Sequence, residues 1–378
     1  MAGALADIDA RRDQIAGWLA RIGGIISPSG QEQARAEAVA AEMRRIGLSD
    51  VVVDASPNAV GVIPGRSGKA LVFVSTLDDL ATVAEHQRAA AAPPRIEGDR
   101  VVGPGTNTSL TTAAMIAAAE ALITRGIQPE HDLVFAAVAQ EETGLKGMAA
   151  LYARYRERAI AFVDILGDGS SISYGAITIH WWRVVANGPA GHSLGGGLPN
   201  VNQGIGRAVD RILQLPHPTL HADTRTIINV AMLQSGAVFN HKPDAGWFSL
   251  DIRSLDGTHV DAVETEVRAL LARVTEETGI RFTMEPVQLT PGGQLPGFDR
   301  APIVVTSVAI AKHLGVEGRL GNAGSSNMNV ALGQGTPAIG LGGSRGGQRG
   351  FPDEWADIPA MLRTAKHVVL LAATIGRR

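Results

Sequence analysis

The chain of 378 residues contains no cysteine, which excludes disulfide bonds, thiolate zinc sites and a cysteine nucleophile. Its net charge is only −3, from 34 basic and 37 acidic residues, so no broad polybasic face for nucleic acid is expected. Apolar runs such as 303–310 and 368–374 are shorter than the roughly 20 residues of a membrane span. Acidic residues near the N-terminus stand where a signal peptide would be apolar. We therefore predict a cytoplasmic protein that binds neither nucleic acid nor membrane.

Apolar runs alternate with helical patterns over most of the chain. A continuous apolar run at 71–74 is typical of a buried parallel strand, and further buried strands are predicted at 132–139, 162–166 and 336–341. Apolar side chains recur at helical spacing in residues 5–22, 32–46, 109–124 and 301–314. Strands that alternate with helices predict an α/β domain with a parallel or mixed sheet.

The pattern changes after about residue 175, where alternating side chains indicate half-buried antiparallel strands. The predicted order is a strand near 177–185, a helix at 200–214, strands at 226–232 and 246–254, a helix at 258–277 and a strand at 280–286. This is a split βαβ, or ferredoxin-like, α+β unit. We therefore divide the chain into an α/β domain, first part, at 1–175, an inserted domain at 176–289, and a second part of the α/β domain at 290–378.

Carboxylates follow the ends of predicted strands, where α/β sheets place their sites. Asp78 follows the first apolar run, Glu141 and Glu142 follow the second, and Asp168 follows the third. In such a pair, one carboxylate can bind a cation while the other moves a proton. The alternatives are structural, because glutamate is favoured at a helix start and aspartate in a tight turn.

The inserted domain offers a histidine and an arginine. His192 lies close to several glycines, and it is either catalytic or structural. Arg253 ends a predicted strand, where it could hold a substrate carboxylate in its fork or make an exposed ion pair of little value.

Several segments, in order, resemble the motifs of the peptidase-family-20 metallohydrolases, which include aminoacylase, peptidase T, carboxypeptidase G and succinyl-diaminopimelate desuccinylase. The similar segments are 95–105, 140–144 (Gln-Glu-Glu-Thr-Gly), 188–193 (Gly-Pro-Ala-Gly-His-Ser), 239–244, 251–253 (Asp-Ile-Arg), 324–329 and 352–355 (Pro-Asp-Glu-Trp). The resemblance implies a zinc-exopeptidase-like catalytic domain, an inserted lid domain and a homodimer paired through that lid. It also implies two zinc ions that activate water, whose proton the first glutamate of the Glu-Glu pair accepts.

The sequence departs from this family at the metal ligands. The His-x-Asp position reads Thr76-Leu-Asp78, so the histidine is replaced. The bridging aspartate falls on Thr108, or on Asn107 if the following helix is shifted by one residue. The late histidine falls on Gly350. Hydroxyl and amide groups do not replace imidazole and carboxylate as zinc ligands.

Only Glu142 and Asp168 remain at ligand positions. We therefore expect no cofactor and no tight zinc centre, and at most one weakly held divalent ion between these two carboxylates. Without cations the crowded carboxylates should raise at least one pKa, unless a basic side chain lies among them. Arg349 and Lys146 are the candidates for that side chain.

We predict an enzyme that acts on a small amide, peptide or amino-acid-like substrate bearing a carboxylate or amide, by hydrolysis, elimination or isomerisation without a metal. The predicted catalytic residues are Glu141, His192 and Asp78. The predicted substrate-binding residues are Asn240, Arg253, Glu142, Asp168, Thr76, Thr108, Asn107, Asn327 and Arg349. One alternative is an inactive relative that binds a ligand or a partner protein. The other is a conventional zinc peptidase with unusual ligands such as His86, His131 or His180.

Overall fold

The computed structural model describes residues 2–215 and 225–377. The chain forms two compact units, which we call the main unit (Met1–Ala176 with Leu295–Arg378) and the inserted unit (Ile177–Gln294). The sequence placed the insertion at 176–289. Its C-terminal limit lies further along the chain because the last long strand continues to Thr290 instead of ending near residue 286.

Up to residue 176 the elements are α1 (Ala2–Ala10), α2 (Arg12–Gly23), α3 (Gln33–Arg45), β1 (Ser49–Val53), β2 (Ala59–Ile63), β3 (Ala70–Thr76), α4 (Ala81–Ala89), β4 (Arg95–Glu97), β5 (Arg100–Val102), α5 (Thr106–Thr124), β6 (Asp132–Val138), α6 (Lys146–Tyr155), β7 (Ala159–Ile165), β8 (Ser171–Ser173) and β9 (Gly175–Ala176). The inserted unit has β10 (Thr178–Asn187), β11 (Gly191–His192), α7 (Val201–Leu213), β12 (Ile227–Asn229), β13 (Leu233–Ser235), β14 (His241–Lys242), β15 (Ala245–Ser254), α8 (Gly257–Thr278), β16 (Arg281–Thr290) and β17 (Gly293–Gln294). The chain then continues with α9 (Pro302–His313), β18 (Arg319–Gly321), α10 (Met328–Gly333), β19 (Ala338–Gly342), β20 (Gly346–Gly347), β21 (Trp355–Asp357) and α11 (Ile358–Ile375).

Within the described residues, the main unit is built on an eight-stranded sheet in the order β1-β2-β6-β3-β7-β19-β8-β18. The four central strands β6, β3, β7 and β19 are parallel neighbours, whereas β2 and β8 pair with this group in antiparallel fashion. The α/β class with a parallel to mixed sheet is confirmed. Because the carboxyl ends of parallel strands meet at one edge, the segments that follow these four strands are neighbours.

Helix α5 is the buried centre of the helical layer. Almost every residue from Thr106 to Leu122 is buried, and the helix packs against α2, α11 and β3. Its Ala-rich sequence allows this close approach on all sides, because alanine offers apolar surface with little bulk. The first turn of α5 is thereby fixed beside the carboxyl ends of the central strands.

Two local expectations differ from the structure. Residues 5–22 form two helices instead of one, because the backbone of Arg11 leaves helical geometry; the Arg11 guanidinium also pairs with Glu120 of α5. The strand β2 was not predicted, although all five of its residues are buried. Its interior Gly61 divides the apolar run, and a side chain there would meet Leu48, so the strand offers only short β-branched stretches on either side of a glycine.

The inserted unit has a sheet in the order β12-β15-β10-β16, with antiparallel pairing throughout, and β13 also pairs with β15. Alternate residues of β10 and β15, such as Trp182, Val184, Phe248 and Leu250, pack with α7 and α8 in a separate core. This is the predicted strand-helix-strand-strand-helix-strand order.

The C-terminal helix α11 is long and apolar enough to pass a test for a membrane span by length and composition alone, which the sequence reading did not foresee. However, 61% of the helix is buried inside the molecule, and it packs against α5 and α9. A core helix produces the same signal, so α11 is explained by its packing. A cytoplasmic location stays a prediction.

Candidate active site

A cavity of about 270 Å³ lies at the carboxyl ends of the central strands. Its wall includes Thr76 from the end of β3, Glu141 after β6, Thr108 from the first turn of α5, and Arg345 and Arg349 after β19. A larger cavity, of about 460 Å³, lies in the inserted unit, but it is lined mainly by amides, hydroxyls and backbone. The smaller cavity brings Glu141 together with Arg345 and Arg349 at the strand ends, and it is the candidate active site.

The turn that carries Glu141 is fixed by two buried carboxylates. Asp78 is fully buried, and its Oδ1 and Oδ2 accept hydrogen bonds from the backbone N–H groups of Glu141 (2.9 Å) and Glu142 (3.0 Å). Glu32 Oε1 accepts the N–H of Gln140, which adopts a positive φ of 55°. Both oxygens of Asp78 are thus used structurally. The predicted catalytic role of Asp78 stays a prediction, and in the structure its carboxylate holds the backbone of Glu141.

Glu141 is the carboxyl group whose surroundings most favour proton transfer. Burial, together with the nearby carboxylates of Glu142, Asp164 and Asp78, raises the pKa of Glu141 to about 8, although Arg349 opposes the shift. Glu141 is therefore mostly protonated at neutral pH. A raised carboxyl pKa at this cluster agrees with the expectation from crowding.

Glu142 forms an ion pair with Arg349, whose Nη2 donates to Glu142 Oε1. Although burial opposes it, the charge of Glu142 raises the pKa of Arg349. Arg349 is therefore the basic side chain among the carboxylates. The other candidate, Lys146, is exposed at the start of α6.

Asp168 is likewise paired with an arginine. Its Oδ2 accepts a hydrogen bond from Arg363 of α11, and its Oδ1 accepts the N–H groups of Ser170 (3.0 Å) and Ser344 (3.1 Å). Asp168 thus ties three segments of the main unit together. The predicted substrate-binding role of Asp168 stays a prediction, and these contacts give the residue a structural role as well.

The threonines at the former ligand positions both face the cavity. Thr108 Oγ1 is buried and has no hydrogen-bond partner among the described residues, whereas Thr76 Oγ1 accepts a hydrogen bond from Asn327 Nδ2 (3.1 Å). Asn107 points elsewhere, because its Nδ2 donates to the backbone oxygen of Trp355 (3.3 Å). Of the two residues weighed for the bridging position, the structure places Thr108 at the cavity and corrects the prediction for Asn107. Asn327 orients Thr76.

Four polar residues of this region were missed by the sequence reading, and Glu354 is the first. It is fully buried, and its carboxylate accepts the N–H groups of Gly105 (3.0 Å), Asn107 (2.9 Å) and Gly350 (3.2 Å). Glu354 therefore joins the start of α5 to the turn that carries Arg349. Its burial raises the pKa of this carboxyl.

The other three missed residues are Asp164, Arg345 and Arg363. Asp164 is an acidic residue inside an apolar strand, and its burial raises its pKa to about 6. Arg345 follows the predicted strand near 336–341, so the strand-end rule applied to the other strands would have found it. Arg363 lies in a regular helix and has no local sequence signal.

The residues present do not fit a pair of zinc ions. Among residues 2–215 and 225–377, no group of three or more histidine, aspartate or glutamate side chains is arranged to hold a metal. Glu142 and Asp168, the two remaining ligand positions, each contact an arginine. A cation bound between them would have to displace a guanidinium, which also argues against the predicted weak divalent site.

The histidines weighed as substitute ligands are engaged elsewhere. His131 Nδ1 lies 2.6 Å from Ser67 Oγ, and His180 Nδ1 lies 2.5 Å from Glu264 Oε1 in the inserted unit. His86 Nε2 lies 3.1 Å from the backbone oxygen of Gly350. None of the three is grouped with the carboxylates in the way that a metal centre requires.

In the inserted unit, two of the three predicted residues come together. His192 Nε2 lies 3.2 Å from Asn240 Nδ2, and the His192 ring contacts that of His241 edge-on. Arg253 lies near the far end of β15, whose first residue, Ala245, follows Asn240 and His241 closely in the chain. Eight residues of strand separate Ala245 from Arg253, which is a distance of about 26 Å. Its guanidinium forks onto Asp251 at 3.0 Å. This is the ion pair that the sequence analysis gave as the alternative to a substrate fork, and the substrate-binding role of Arg253 stays a prediction.

The model of the family described as "Peptidase family M20/M25/M40" matches residues 79–374, which is most of the chain. The chain belongs to this peptidase family. The suspected resemblance is thereby confirmed, and the replaced ligand positions make this chain an unusual member of the M20 family.

Two characterised proteins are similar over most of their length. The chain is 25% identical over 331 residues to a succinyl-diaminopimelate desuccinylase from Corynebacterium glutamicum, covering 85% of this chain and 86% of that protein. It is 26% identical over 336 residues to carboxypeptidase G2 from Pseudomonas sp. (strain RS-16), covering 84% of this chain and 77% of that protein.

Solved structures support the M20 fold. Aminopeptidase PepT from Bacillus cereus has a TM-score of 0.80 at 18% identity, covering 96% of this chain and 98% of its own. A dinuclear metal-binding peptidase of the M20 family from Bacillus subtilis has a TM-score of 0.71 at 14% identity, covering 97% of this chain and 99% of its own. At these identities the likeness concerns the fold alone.

Proposed function

We propose that the chain is an M20-family hydrolase that cleaves a small amide or peptide by the acid–base chemistry of Glu141, without a dizinc centre. The observation that carries the proposal is the pairing of both remaining ligand positions, Glu142 and Asp168, with arginines, while Glu141 faces the cavity with a pKa of about 8. A carboxyl group that titrates near neutral pH is suited to both accept and donate a proton.

In this proposal the ionised form of Glu141 accepts a proton from a water molecule as the water oxygen bonds to the substrate carbonyl carbon. The same proton then passes to the leaving nitrogen when the carbon–nitrogen bond breaks, which restores the carboxylate. The Thr108 hydroxyl, which is buried without a partner among the described residues, is placed to donate to the carbonyl oxygen as negative charge develops there. Asp78 supports the reaction by fixing the Glu141 backbone.

The substrate class is proposed by analogy with the two similar proteins, whose names describe a desuccinylase and a carboxypeptidase. We therefore propose N-acyl amino acids and short peptides as the substrates to test.

The test is a panel of N-acyl amino acids and dipeptides, assayed with and without a chelator. We expect turnover that survives the chelator and that Glu141→Gln abolishes, whereas the control Glu317→Gln, at a largely exposed glutamate of the same unit, retains it. Elemental analysis after purification with zinc should find well under one tightly held ion per chain. Two ions per chain, or turnover that the chelator removes and zinc restores, would refute the proposal and identify a conventional zinc peptidase.

A second candidate is a ligand-binding member of the family with no turnover. The structural use of Asp78 and Asp168 favours it, because both are carboxylates that the sequence assigned to the site. The same panel separates the two functions. Saturable binding of a carboxylate ligand with no product, in a correctly folded preparation, would support the binding function.

We also propose a homodimer that pairs through the inserted unit. Strand β16 lies at the edge of that unit's sheet and exposes Val287 and Leu289, which is the surface by which two sheets can join. Sedimentation at several concentrations tests this proposal, and a monomer at all concentrations would refute it.

A further inference from the structure

Arg345 is a cation without an anion. Its side chain lines the cavity and is only partly exposed, and among the described residues its guanidinium makes no hydrogen bond and no ion pair. Every other arginine at the site has a carboxylate partner, since Arg349 contacts Glu142 and Arg363 contacts Asp168. Removing a charge from water without a partner is unfavourable, so such a group is expected where a ligand supplies the opposite charge.

A second cation increases this deficit of negative charge. Burial and the neighbouring Arg349 lower the pKa of Arg345, although the charges of Glu141, Glu142 and Glu354 oppose the shift, so the two guanidiniums are close enough to repel each other. Arg349 uses Nη2 on Glu142, and its buried Nε has no partner among the described residues. The carboxyl group of Glu141 lines the same cavity, but at neutral pH it is mostly protonated and supplies little charge.

The hydroxyl of Thr76 completes the set of donors. Its oxygen accepts the Asn327 Nδ2 hydrogen bond at 3.1 Å, so its own proton remains to be donated. Thr76 lines the cavity beside Arg345, whereas no histidine, aspartate or free carboxylate other than Glu141 is part of that wall among the described residues.

We propose that this cavity binds an oxyanion of the substrate, a carboxylate, between the Arg345 guanidinium and the Thr76 hydroxyl, with Arg349 beside it. A carboxylate fits better than a phosphate for two reasons. A planar guanidinium fork matches two coplanar oxygens, and the acidic Glu142 and Asp164 near the cavity repel a doubly charged group more strongly.

The inference deepens the proposed function, on which it rests, by naming the group that the substrate must carry. A carboxylate held at Arg345 lies close to Glu141, so the scissile amide has to be near that carboxylate in the substrate. Neutral amides and amidated peptides are expected to be poor ligands. Arg345 would be a binding residue of the site and would take no part in proton transfer.

Binding is tested by thermal unfolding of the full chain, which needs no turnover. The probes are sodium acetate and sodium succinate, with acetamide as a neutral analogue, inorganic phosphate as a second anion, and sodium chloride at equal ionic strength as the reference. The variants are Arg345→Met and Arg345→Lys, with Arg300→Met as the matched control, because Arg300 is a highly exposed arginine of the same unit.

In chloride, Arg345→Met should unfold a few degrees above the wild type, because a buried unpaired charge has been removed. Acetate or succinate should raise the Tm of the wild type and of Arg300→Met, and acetamide should not. The carboxylate shift should vanish in Arg345→Met and persist in reduced form in Arg345→Lys, which shows that the site still folds.

If carboxylates raise the Tm of the wild type and of Arg345→Met equally, the inference is overturned, because the effect would then be a general effect of salt. A larger shift with phosphate than with either carboxylate would overturn the choice of ligand. Where turnover is measured, Arg345→Met should raise KM at least about tenfold with kcat changed much less. Carboxylate binding without turnover would refute the proposed function alone, and chelator-resistant turnover without carboxylate binding would refute this inference alone.

Discussion

Replacement of Glu141 by glutamine should change how the stability of the protein depends on pH. The pKa of Glu141 is raised to about 8 in the folded protein, against an ordinary value of 4.5. The folded state therefore holds this proton more tightly than the unfolded chain does. The contribution of Glu141 to the free energy of unfolding is fully present below pH 4.5 and is lost as the pH rises towards 8. The reason is that Glu141 ionises freely in the unfolded chain over that range and stays protonated in the folded protein.

The magnitude follows from the shift. Between pH 6 and pH 8 the loss approaches about 1.4 kcal/mol per pH unit, or roughly 2.5 kcal/mol in total, and partial exposure of Glu141 to solvent lowers this to about 2 kcal/mol. Glu141→Gln cannot ionise, so its free energy of unfolding should lack this loss. At pH 8 the variant should be more stable than the wild type by a larger margin than at pH 6.

The assay is urea unfolding at pH 6, 7 and 8, with the free energy of unfolding extrapolated to water for the wild type and for Glu141→Gln. Glu317→Gln is the control, because its side chain is 74% exposed and the substitution is the same exchange of glutamate for glutamine. If the two pH dependences of the wild type and Glu141→Gln run parallel, Glu141 is ionised at neutral pH like an ordinary glutamate. The acid–base role proposed for it would then lose its physical basis.

Three further predictions concern the groups that support the cavity. Asp78→Asn should lower the free energy of unfolding, measured in urea, by about 1–3 kcal/mol, because one of the two backbone N–H groups that Asp78 accepts would then face an amide donor. A variant as stable as the wild type would refute the role of Asp78 in holding the Glu141 backbone. Glu354→Gln should speed amide hydrogen exchange at Gly350, whose N–H it accepts, and unchanged exchange there would contradict the proposed link. His367 is buried, and burial lowers its pKa to about 4. The free energy of unfolding of the wild type should therefore fall by up to about 3 kcal/mol between pH 6.5 and pH 4, because the unfolded chain takes up a proton that the folded protein does not. Urea unfolding at both pH values checks this, and His367→Leu should not show the loss.

The polar groups at strand ends explain why much of the site could be found from the sequence. Glu141 and Asp168 follow strands that are mostly apolar, and the rule for parallel sheets brings such segments to one edge without knowledge of side-chain contacts. The same rule applied to the strand ending at Gly342 would have found Arg345. The order of elements in the inserted unit was predictable for a similar reason, since the alternation along β10 and β15 reflects one buried and one open sheet face.

What the sequence could not supply is the pairing of each charge. Asp78 and Glu141 are both carboxylates after strands, yet one is used by two backbone N–H groups and the other faces the cavity. The partner of Asp168 is Arg363, which lies 195 positions away in a regular helix, and no local pattern marks it. The fork of Arg253 was expected to be free, but a residue two positions earlier in the same strand already fills it.

The Arg349–Glu142 pair has a consequence for the supply of positive charge at the cavity. A guanidinium is attached to its own backbone, so it is delivered with the polypeptide during synthesis and dialysis cannot remove it. Its occupancy does not vary with the nutrient status of the cell, and no other ion can be inserted in its place by mistake. In exchange, its strength is fixed at one unit of charge, which is half the charge of a divalent ion.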